Sequence, residues 1–303
     1  MQVLGRSLGA RLVGEPDNED KYPPAIHAKH RLGRYPVLAP GEDDRAYRRL
    51  WEWIFNGAHE GRRSLLARHM LGPGIQQRIF DGRMDPVTWL AGTLARDPRP
   101  DAAPADGGTH RRVIAKSIHA QLALEWLVST FDVDVLVLLR HPASVLASWM
   151  EVNLKDARNS TLATRRDIRL RYVDRWDVPP PGRDPVESMS WKIGLLTAAL
   201  EEVTARHPTW HVRTHESLCS DPPGEFRRLY GDLGLEWTQE TTDYMQDHNQ
   251  PGEGFVVKRV ASELSDSWQR RLDDNQVATL RKVLSMFPIT TWSDEDFVRG
   301  RTG

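Results

Sequence analysis

The sequence has little of what secreted, membrane-bound or nucleic-acid-binding proteins require. It contains one cysteine, Cys219, among 303 residues, so an intrachain disulfide is impossible and the cytoplasm is the expected location. No apolar run approaches the length of a membrane span, and the N-terminus lacks the pattern of a signal peptide. The 41 lysines and arginines nearly balance the 42 aspartates and glutamates. No global field therefore indicates a nucleic acid or a membrane as a partner.

Metal ligands at a persuasive spacing are also missing. His27 and His30 stand three residues apart, but no third ligand completes the set, and we expect no metal site. What is present suits a globular protein, since 39% of the residues are hydrophobic and 27% are charged. A chain of 303 residues is long enough for one large α/β domain or for two smaller ones. The sequence carries no signal for the oligomeric state.

The most informative segment is a short apolar run over 135–139 that ends at Arg140. Such a run is typical of a strand buried on both faces of a parallel sheet. Pro142 suits the first turn of a helix, and that helix carries Ser148, eight residues after Arg140. Ligands of open α/β sheets bind at the carboxyl ends of strands, and helix N-termini favour anions. Arg140 and Ser148 therefore predict a phosphate clamp, with pairing of Arg140 to a neighbouring carboxylate as the plainer alternative.

Hydrophobic periodicity indicates strands that alternate with helices. Strands are predicted at 112–116, 135–139 and 210–213. The first two, joined by a helix over 120–130, would be parallel neighbours in one sheet. Further helices are predicted at 3–13, 43–57, 59–71, 142–152, 187–206, 223–233 and 273–286. Nothing marks a domain boundary, so we expect one domain over residues 1–303, with helical and loop insertions at about 20–110 and 153–186.

These features resemble the nucleotide-dependent sulfotransferases, which transfer a sulfuryl group from 3′-phosphoadenosine 5′-phosphosulfate to a hydroxyl or an amine. The family's phosphate-binding motif has an arginine at a strand end and a serine eight residues later, as Arg140 and Ser148 have here. The similarity covers roughly residues 111–287 and includes Ile114-Ala115-Lys116 and the acidic turn Glu216-Ser217-Leu218. The resemblance implies a P-loop-kinase-like three-layer fold, in which helices flank a central parallel sheet of four to five strands.

The N-terminal part departs from the family's pattern. In the family, a strand and a glycine-rich phosphate loop hold the 5′-phosphosulfate, and Gly5-Arg6-Ser7 matches that loop only superficially. We align Gln2–Leu12 with the helix that follows the loop, and 13–18 with the H-E-P-x-N turn of bacterial members. On this alignment the first strand and the loop are missing, through a misplaced start codon or a real deletion.

The resemblance assigns roles to individual residues. Arg140 and Ser148 would hold the 3′-phosphate of the donor. Lys258 and Arg259, in a segment that resembles the family's C-terminal basic loop, would complete this clamp. Lys116 would stabilise negative charge on the transferred group.

The acceptor hydroxyl must lose its proton, so a general base is expected near the sulfur. Glu15 is one candidate, because several bacterial and carbohydrate-directed members place an acid in this turn. His119 is the other, one residue beyond the position of the histidine in animal cytosolic members. We slightly favour Glu15, for which a helix-terminal carboxylate is the plainer alternative.

The leading prediction is therefore a sulfotransferase with 3′-phosphoadenosine 5′-phosphosulfate as its donor and a small molecule or carbohydrate as its acceptor, without a metal. A second prediction, prompted by the missing loop, is a catalytically impaired protein of the same fold that binds nucleotide or partners without turnover. A small-molecule kinase would need a lysine-containing Walker loop, which the sequence lacks.

Overall fold

The computed structural model describes residues 3–6, 10–19, 22–56, 112–151, 161–248 and 266–298. Its contacts divide the chain into two compact units, Met1–Val133 and Asp134–Gly303. Each unit combines helices with a pair of parallel strands, so the α/β class is confirmed, while the single domain over 1–303 stays a prediction. The predicted helix at 59–71 lies outside the described residues, as do large parts of the insertions predicted at about 20–110 and 153–186.

The first unit contains two parallel strands, β1 (Arg11–Gly14) and β2 (Val113–Lys116). Gly14 pairs with Lys116, so both strands end at the same edge. The described helices of this unit are two 3-10 helices (Leu4–Arg6 and Ala120–Ala123), α1 (Pro23–Lys29), α2 (Arg45–Phe55) and α3 (Leu124–Phe131). The buried faces of α1, α2, α3 and the second 3-10 helix share one apolar cluster, which includes Ala25, Tyr47, Leu50, Trp51, Ile54, Ala123, Trp126 and Leu127.

The helix predicted at 3–13 is wrong, and so is the alignment of Gln2–Leu12 with a helix. Leu4–Arg6 form a short 3-10 helix, and Arg11–Gly14 form β1. Leucines at helical spacing suggested the helix. The backbone of β2, far along the chain, pairs with this segment instead, and such tertiary pairing overrides local propensity.

The second unit contains the other parallel pair, β3 (Leu136–Leu139) and β4 (His211–Thr214), in which Leu139 pairs with Thr214. The three predicted strands are confirmed, but β2 pairs with β1 rather than with β3. The described residues form two separate two-stranded sheets, so the single sheet of four to five strands is not confirmed. The pattern of apolar residues predicts that a segment is a strand. It does not predict which other strand that segment pairs with, because pairing depends on backbone from elsewhere in the chain.

Helices make up most of the described residues of the second unit. Those of six residues or more are α4 (Pro142–Glu151), α5 (Pro185–Arg206), α6 (His215–Ser220), α7 (Pro222–Asp232), α8 (Gln239–His248) and α9 (Asp274–Leu284). Shorter helical segments lie within 161–176 and at Ser267–Arg270 and Asp294–Phe297. Side-chain caps explain where four of them begin, because backbone N–H groups of the first turn donate to Asp184, Thr214, Asp221 and Asp273. An apolar cluster joins α4, α5 and α9 and includes Leu146, Met189, Ile193, Trp268, Val277, Leu280 and Phe297.

Gly194 on α5 has no room for a side chain, since a Cβ there would lie 2.4 Å from a ring carbon of buried Phe287. We expect Gly194→Ala to destabilise the protein by about 1–3 kcal/mol, because overpacking outweighs the gain in helix propensity. Gly231→Ala on α7, where a Cβ would meet nothing within 4 Å, is the matched control and should be neutral or slightly stabilising. Urea unfolding followed by circular dichroism measures both variants. Equal stability of the two would contradict this account of the core.

Candidate functional site

Glu15 and Lys116 lie together where β1 and β2 end. Lys116 is the last residue of β2, Glu15 directly follows β1, and the lysine ammonium forms an ion pair with Glu15 Oε1. Parallel pairing explains the contact, because it brings both carboxyl ends to one edge. Two residues that the sequence predicted for the reaction are thus neighbours, at the kind of edge where α/β proteins bind ligands.

Glu15 is held in a left-handed backbone conformation, with φ at 55°. This conformation costs an L-residue roughly 1–2 kcal/mol, and local hydrogen bonds offset the cost. The Glu15 N–H donates to the Lys116 carbonyl at 2.6 Å, and the Glu15 carbonyl accepts from the Asn18 N–H at 3.0 Å. Asn18 Nδ2 also donates to Glu15 Oε2 at 2.8 Å. Both carboxylate oxygens of Glu15 therefore have an identified donor, Asn18 on one and Lys116 on the other.

A second pair, Asp17 with Ser117, joins the turns that follow the two strands. Ser117 Oγ donates to Asp17 Oδ1 at 2.7 Å and accepts the N–H groups of His119 and Ala120 at 3.0 and 2.9 Å. The Tyr47 hydroxyl donates to Asp17 Oδ2 at 3.3 Å. These hydroxyls satisfy the buried Asp17 carboxylate, and they fix the turn after β2 against the turn after β1.

His119, the other predicted base, lies in a buried ion cluster. Its Nδ1 is 3.3 Å from Glu19 Oε2 and 3.2 Å from Lys29 Nζ. Lys29 Nζ lies 2.5 Å from Glu19 Oε2, and Arg34 Nε lies 2.7 Å from Glu19 Oε1. The ring of Tyr35 packs edge-on against His119, whose exposed fraction is only 3%. Glu19 and Lys29 could not be assigned a role from the sequence, because nothing local distinguishes them from solvated charges.

Burial and neighbouring charges act against each other in this cluster. Burial disfavours charged forms, and it lowers the pKa of Lys29 despite the opposing charge of Glu19. Burial also opposes ionisation of Glu19, but the His119 hydrogen bond and the charges of Lys29, His119 and Arg34 outweigh it. They hold the pKa of the Glu19 carboxyl well below its usual range. Glu19 is therefore ionised at neutral pH and depends on its cationic neighbours.

Arg140 lies at the carboxyl end of β3, and α4 begins two residues later at Pro142. Ser148 lies about two turns into α4 and is partly exposed. The strand, turn and helix of the predicted motif are thus confirmed, and the phosphate-binding role of Arg140 and Ser148 stays a prediction. Lys258 and Arg259, the other predicted clamp residues, lie outside the described residues.

Glu216 ties the turn after β3 to helix α6. Thr214 Oγ1 caps α6 by accepting the Ser217 N–H at 3.0 Å, and Glu216 Oε1 accepts the His141 N–H at 3.1 Å. Burial raises the pKa of the Glu216 carboxyl, and the His141 N–H and the charge of Arg140 partly oppose that rise. Glu216 is therefore one carboxylate close enough to Arg140 for the two charges to interact, as the plainer alternative requires. It belongs to the acidic turn noted in the sequence, where no role was assigned to it.

His141, which the sequence analysis missed, connects the start of α4 to the C-terminal segment. Its Nδ1 accepts the Ala143 N–H at 3.2 Å, and its Nε2 donates to the Asp296 carbonyl at 3.1 Å. This pattern requires a neutral imidazole with its proton on Nε2. The ring stacks on Trp268 with centroids 5.2 Å apart. Burial lowers the pKa of His141 to about 4, and burial together with the charge of Arg140 lowers the pKa of His215 to about 4 as well.

Comparison of the chain with protein-family models, with curated protein sequences and with solved structures returned no match. Within the described ranges, no helix is both long enough and apolar enough to cross a membrane. In the same part of the chain, no three or more His, Cys, Asp and Glu side chains are grouped so that they could hold a metal ion.

Acid should destabilise the second unit. The pKa of His141 falls from 6.5 to about 4 on folding, so the unfolded chain binds a proton more readily than the folded one. The stabilisation is complete above about pH 6.5 and is lost as the pH falls toward 4, which amounts to about 2 kcal/mol between pH 7.5 and 5 for this residue. Urea unfolding at both pH values measures the loss. His141→Phe should reduce this pH dependence, and an unchanged dependence would contradict the assignment.

Proposed function

We propose that the protein is a cytoplasmic sulfotransferase, which moves a sulfuryl group from 3′-phosphoadenosine 5′-phosphosulfate to a hydroxyl of a small molecule or carbohydrate. The observation that carries this proposal is the Glu15–Lys116 ion pair at the carboxyl ends of β1 and β2. A carboxylate can accept the proton of the acceptor hydroxyl, and an ammonium can stabilise charge on the transferred group. The three-layer fold around one parallel sheet belongs to the same proposal.

Each unit, taken by itself, has a cationic side chain at a strand edge that suits an anion. When bound, the donor supplies a sulfuryl group that is activated by its bond to a phosphate. In the first unit, the Lys116 side chain is 37% exposed, so its ammonium can contact the transferred group. In the second unit, Arg140 stands at a strand end just before a helix begins, and it is partly exposed. In this proposal Arg140 and Ser148 bind the 3′-phosphate through charge-assisted and hydroxyl hydrogen bonds.

Glu15, rather than His119, is the general base in this proposal. A base must come within hydrogen-bond distance of the hydroxyl proton. Glu15 and His119 are both buried, but Glu15 pairs with a lysine that reaches solvent, whereas the partners of His119, Glu19 and Lys29, are buried as well. His119 instead stabilises the segment that carries Lys116, because its backbone N–H is bonded to Ser117 and its ring is fixed by the ion cluster.

A second candidate function, binding without turnover, is favoured by the position of Glu216. Its carboxylate interacts with the charge of Arg140. The His141 N–H, which lies at the start of α4, is bonded to Glu216 rather than directed to a ligand. A chain in which Arg140 serves mainly to balance Glu216 would keep its fold and lack a strong phosphate clamp.

Calorimetric titration with adenosine 3′,5′-bisphosphate tests the clamp. We expect the wild-type protein to bind, and Arg140→Ala to bind roughly 10- to 100-fold more weakly, because one charge-assisted contact contributes about 1.5–3 kcal/mol. Arg213→Ala is the matched control, since the Arg213 guanidinium pairs with Asp232, and it should bind like the wild type. Equal affinities of Arg140→Ala and the wild type would overturn the clamp.

Transfer from a radiolabelled donor to a panel of hydroxyl acceptors tests the enzyme. Glu15→Gln should keep its affinity for the bisphosphate and lose about 100-fold or more in transfer rate, because glutamine cannot accept the proton. His119→Gln, if it folds, should retain most of the transfer. A wild-type rate in Glu15→Gln would refute the assignment of the base. Bisphosphate binding without transfer to any acceptor would support the second candidate.

A further inference from the structure

We infer that Lys116 covers the base Glu15 in the free protein and uncovers it only when the sulfuryl donor draws the lysine away. This inference rests on the proposed sulfotransferase function. It adds an order of events, because Glu15 becomes an effective base only after the donor has bound. Three features of the strand edge support it. The two carboxylate oxygens of Glu15 have different partners, Lys116 has a long flexible side chain, and Asn18 is buried.

The two carboxylate oxygens of Glu15 have different kinds of donor. Oε2 accepts from Asn18 Nδ2 at 2.8 Å, in a contact between buried residues. Oε1 accepts from the Lys116 ammonium, whose side chain is 37% exposed, against 9% for Glu15. Oε1 is therefore on the side of the carboxylate that a ligand can approach. The ammonium of Lys116 on Oε1 stabilises the ionised carboxylate, and it therefore opposes transfer of a proton to that oxygen for as long as the bond lasts.

The side chain of Lys116 can change its partner, whereas that of Asn18 is held in place. The lysine ammonium is a compact charge on a flexible four-carbon stem, and a partly exposed ion pair adds little stability. The backbone of Lys116 stays fixed in β2 while its side chain changes partner. Asn18 is 5% exposed, and its N–H is bonded to the Glu15 carbonyl. Asn18 is therefore a positioning residue, which keeps Glu15 in place when Lys116 leaves.

The oxygens of a bound donor are negatively charged, like the Glu15 carboxylate, so Lys116 can form an ion pair with them instead. With Lys116 on the sulfuryl oxygens, Glu15 Oε1 accepts the proton of the acceptor hydroxyl while that hydroxyl oxygen forms its bond to sulfur. The bond between sulfur and the 5′-phosphate oxygen breaks, and its electron pair leaves on adenosine 3′,5′-bisphosphate. Lys116 remains protonated throughout, and Glu15 ends protonated. Without the donor, the ion pair keeps the base covered.

Lysine side-chain NMR of the full chain tests this exchange. The Lys116 Nζ resonance is assigned from its loss in Lys116→Arg, and 3′-phosphoadenosine 5′-phosphosulfate is added without an acceptor, so that no transfer takes place. In the free protein, Glu15→Gln should shift the Lys116 resonance by more than its linewidth. In the donor-saturated protein, the same substitution should leave that resonance unchanged. Lys282, which is exposed on α9, is the internal control and should not respond in either state.

The outcomes separate the exchange from the proposed function. A Lys116 resonance that responds equally to Glu15→Gln with and without donor shows that the lysine stays on Glu15, which overturns the exchange and leaves donor binding and transfer standing. Failure of the donor to bind in calorimetry, together with no transfer to any acceptor, overturns the proposed function and the exchange with it. If Glu15→Gln does not fold, Glu15→Asp gives the same comparison, because the shorter side chain withdraws the carboxylate from Lys116.

Discussion

Parallel pairing of short strands brings residues that are distant in sequence to one edge, and both candidate sites depend on it. Glu15 and Lys116 are 101 positions apart and meet because Gly14 pairs with Lys116. Arg140 and His215 follow the paired ends of β3 and β4 in the same way. Strands of four residues supply few backbone hydrogen bonds, so the turns beyond them need bonds of their own. Side chains provide these bonds in each unit.

In the first unit, the side-chain pairs become more buried from one turn to the next. In the outer pair the Lys116 side chain reaches solvent, whereas Asp17, Glu19, Lys29 and His119 are all buried. Charges taken out of water are tolerated only when their pairing is complete, which favours one arrangement of this segment. The inner pairs therefore act as a rigid support. In the proposed reaction, the outer pair is the one that exchanges partners.

Much of the candidate site could be predicted from local sequence, but the partners of its residues could not. Arg140 and Ser148 follow from their spacing and from Pro142, and Glu15 and Lys116 follow from turns that resemble a family. Asn18 and Glu216 lie in the same quoted turns and received no role, because each acts through a partner that the sequence does not place. His119 was a candidate base because it is close to Lys116 in the sequence. In the structure its ring contacts Glu19 in a buried cluster.

The sequence by itself determined many elements of this protein: the strand before Arg140, the helix that begins at Pro142, and the helices predicted at 187–206 and 273–286, which the structure has at Pro185–Arg206 and Asp274–Leu284. These features depend on periodicity and on bonds within one turn, which are local. The tertiary structure alone decided that Arg11–Gly14 form a strand, that β2 pairs with β1, and which charges are buried together. Strand partners and ion pairs depend on groups that are far apart in the sequence, so only the folded chain defines them.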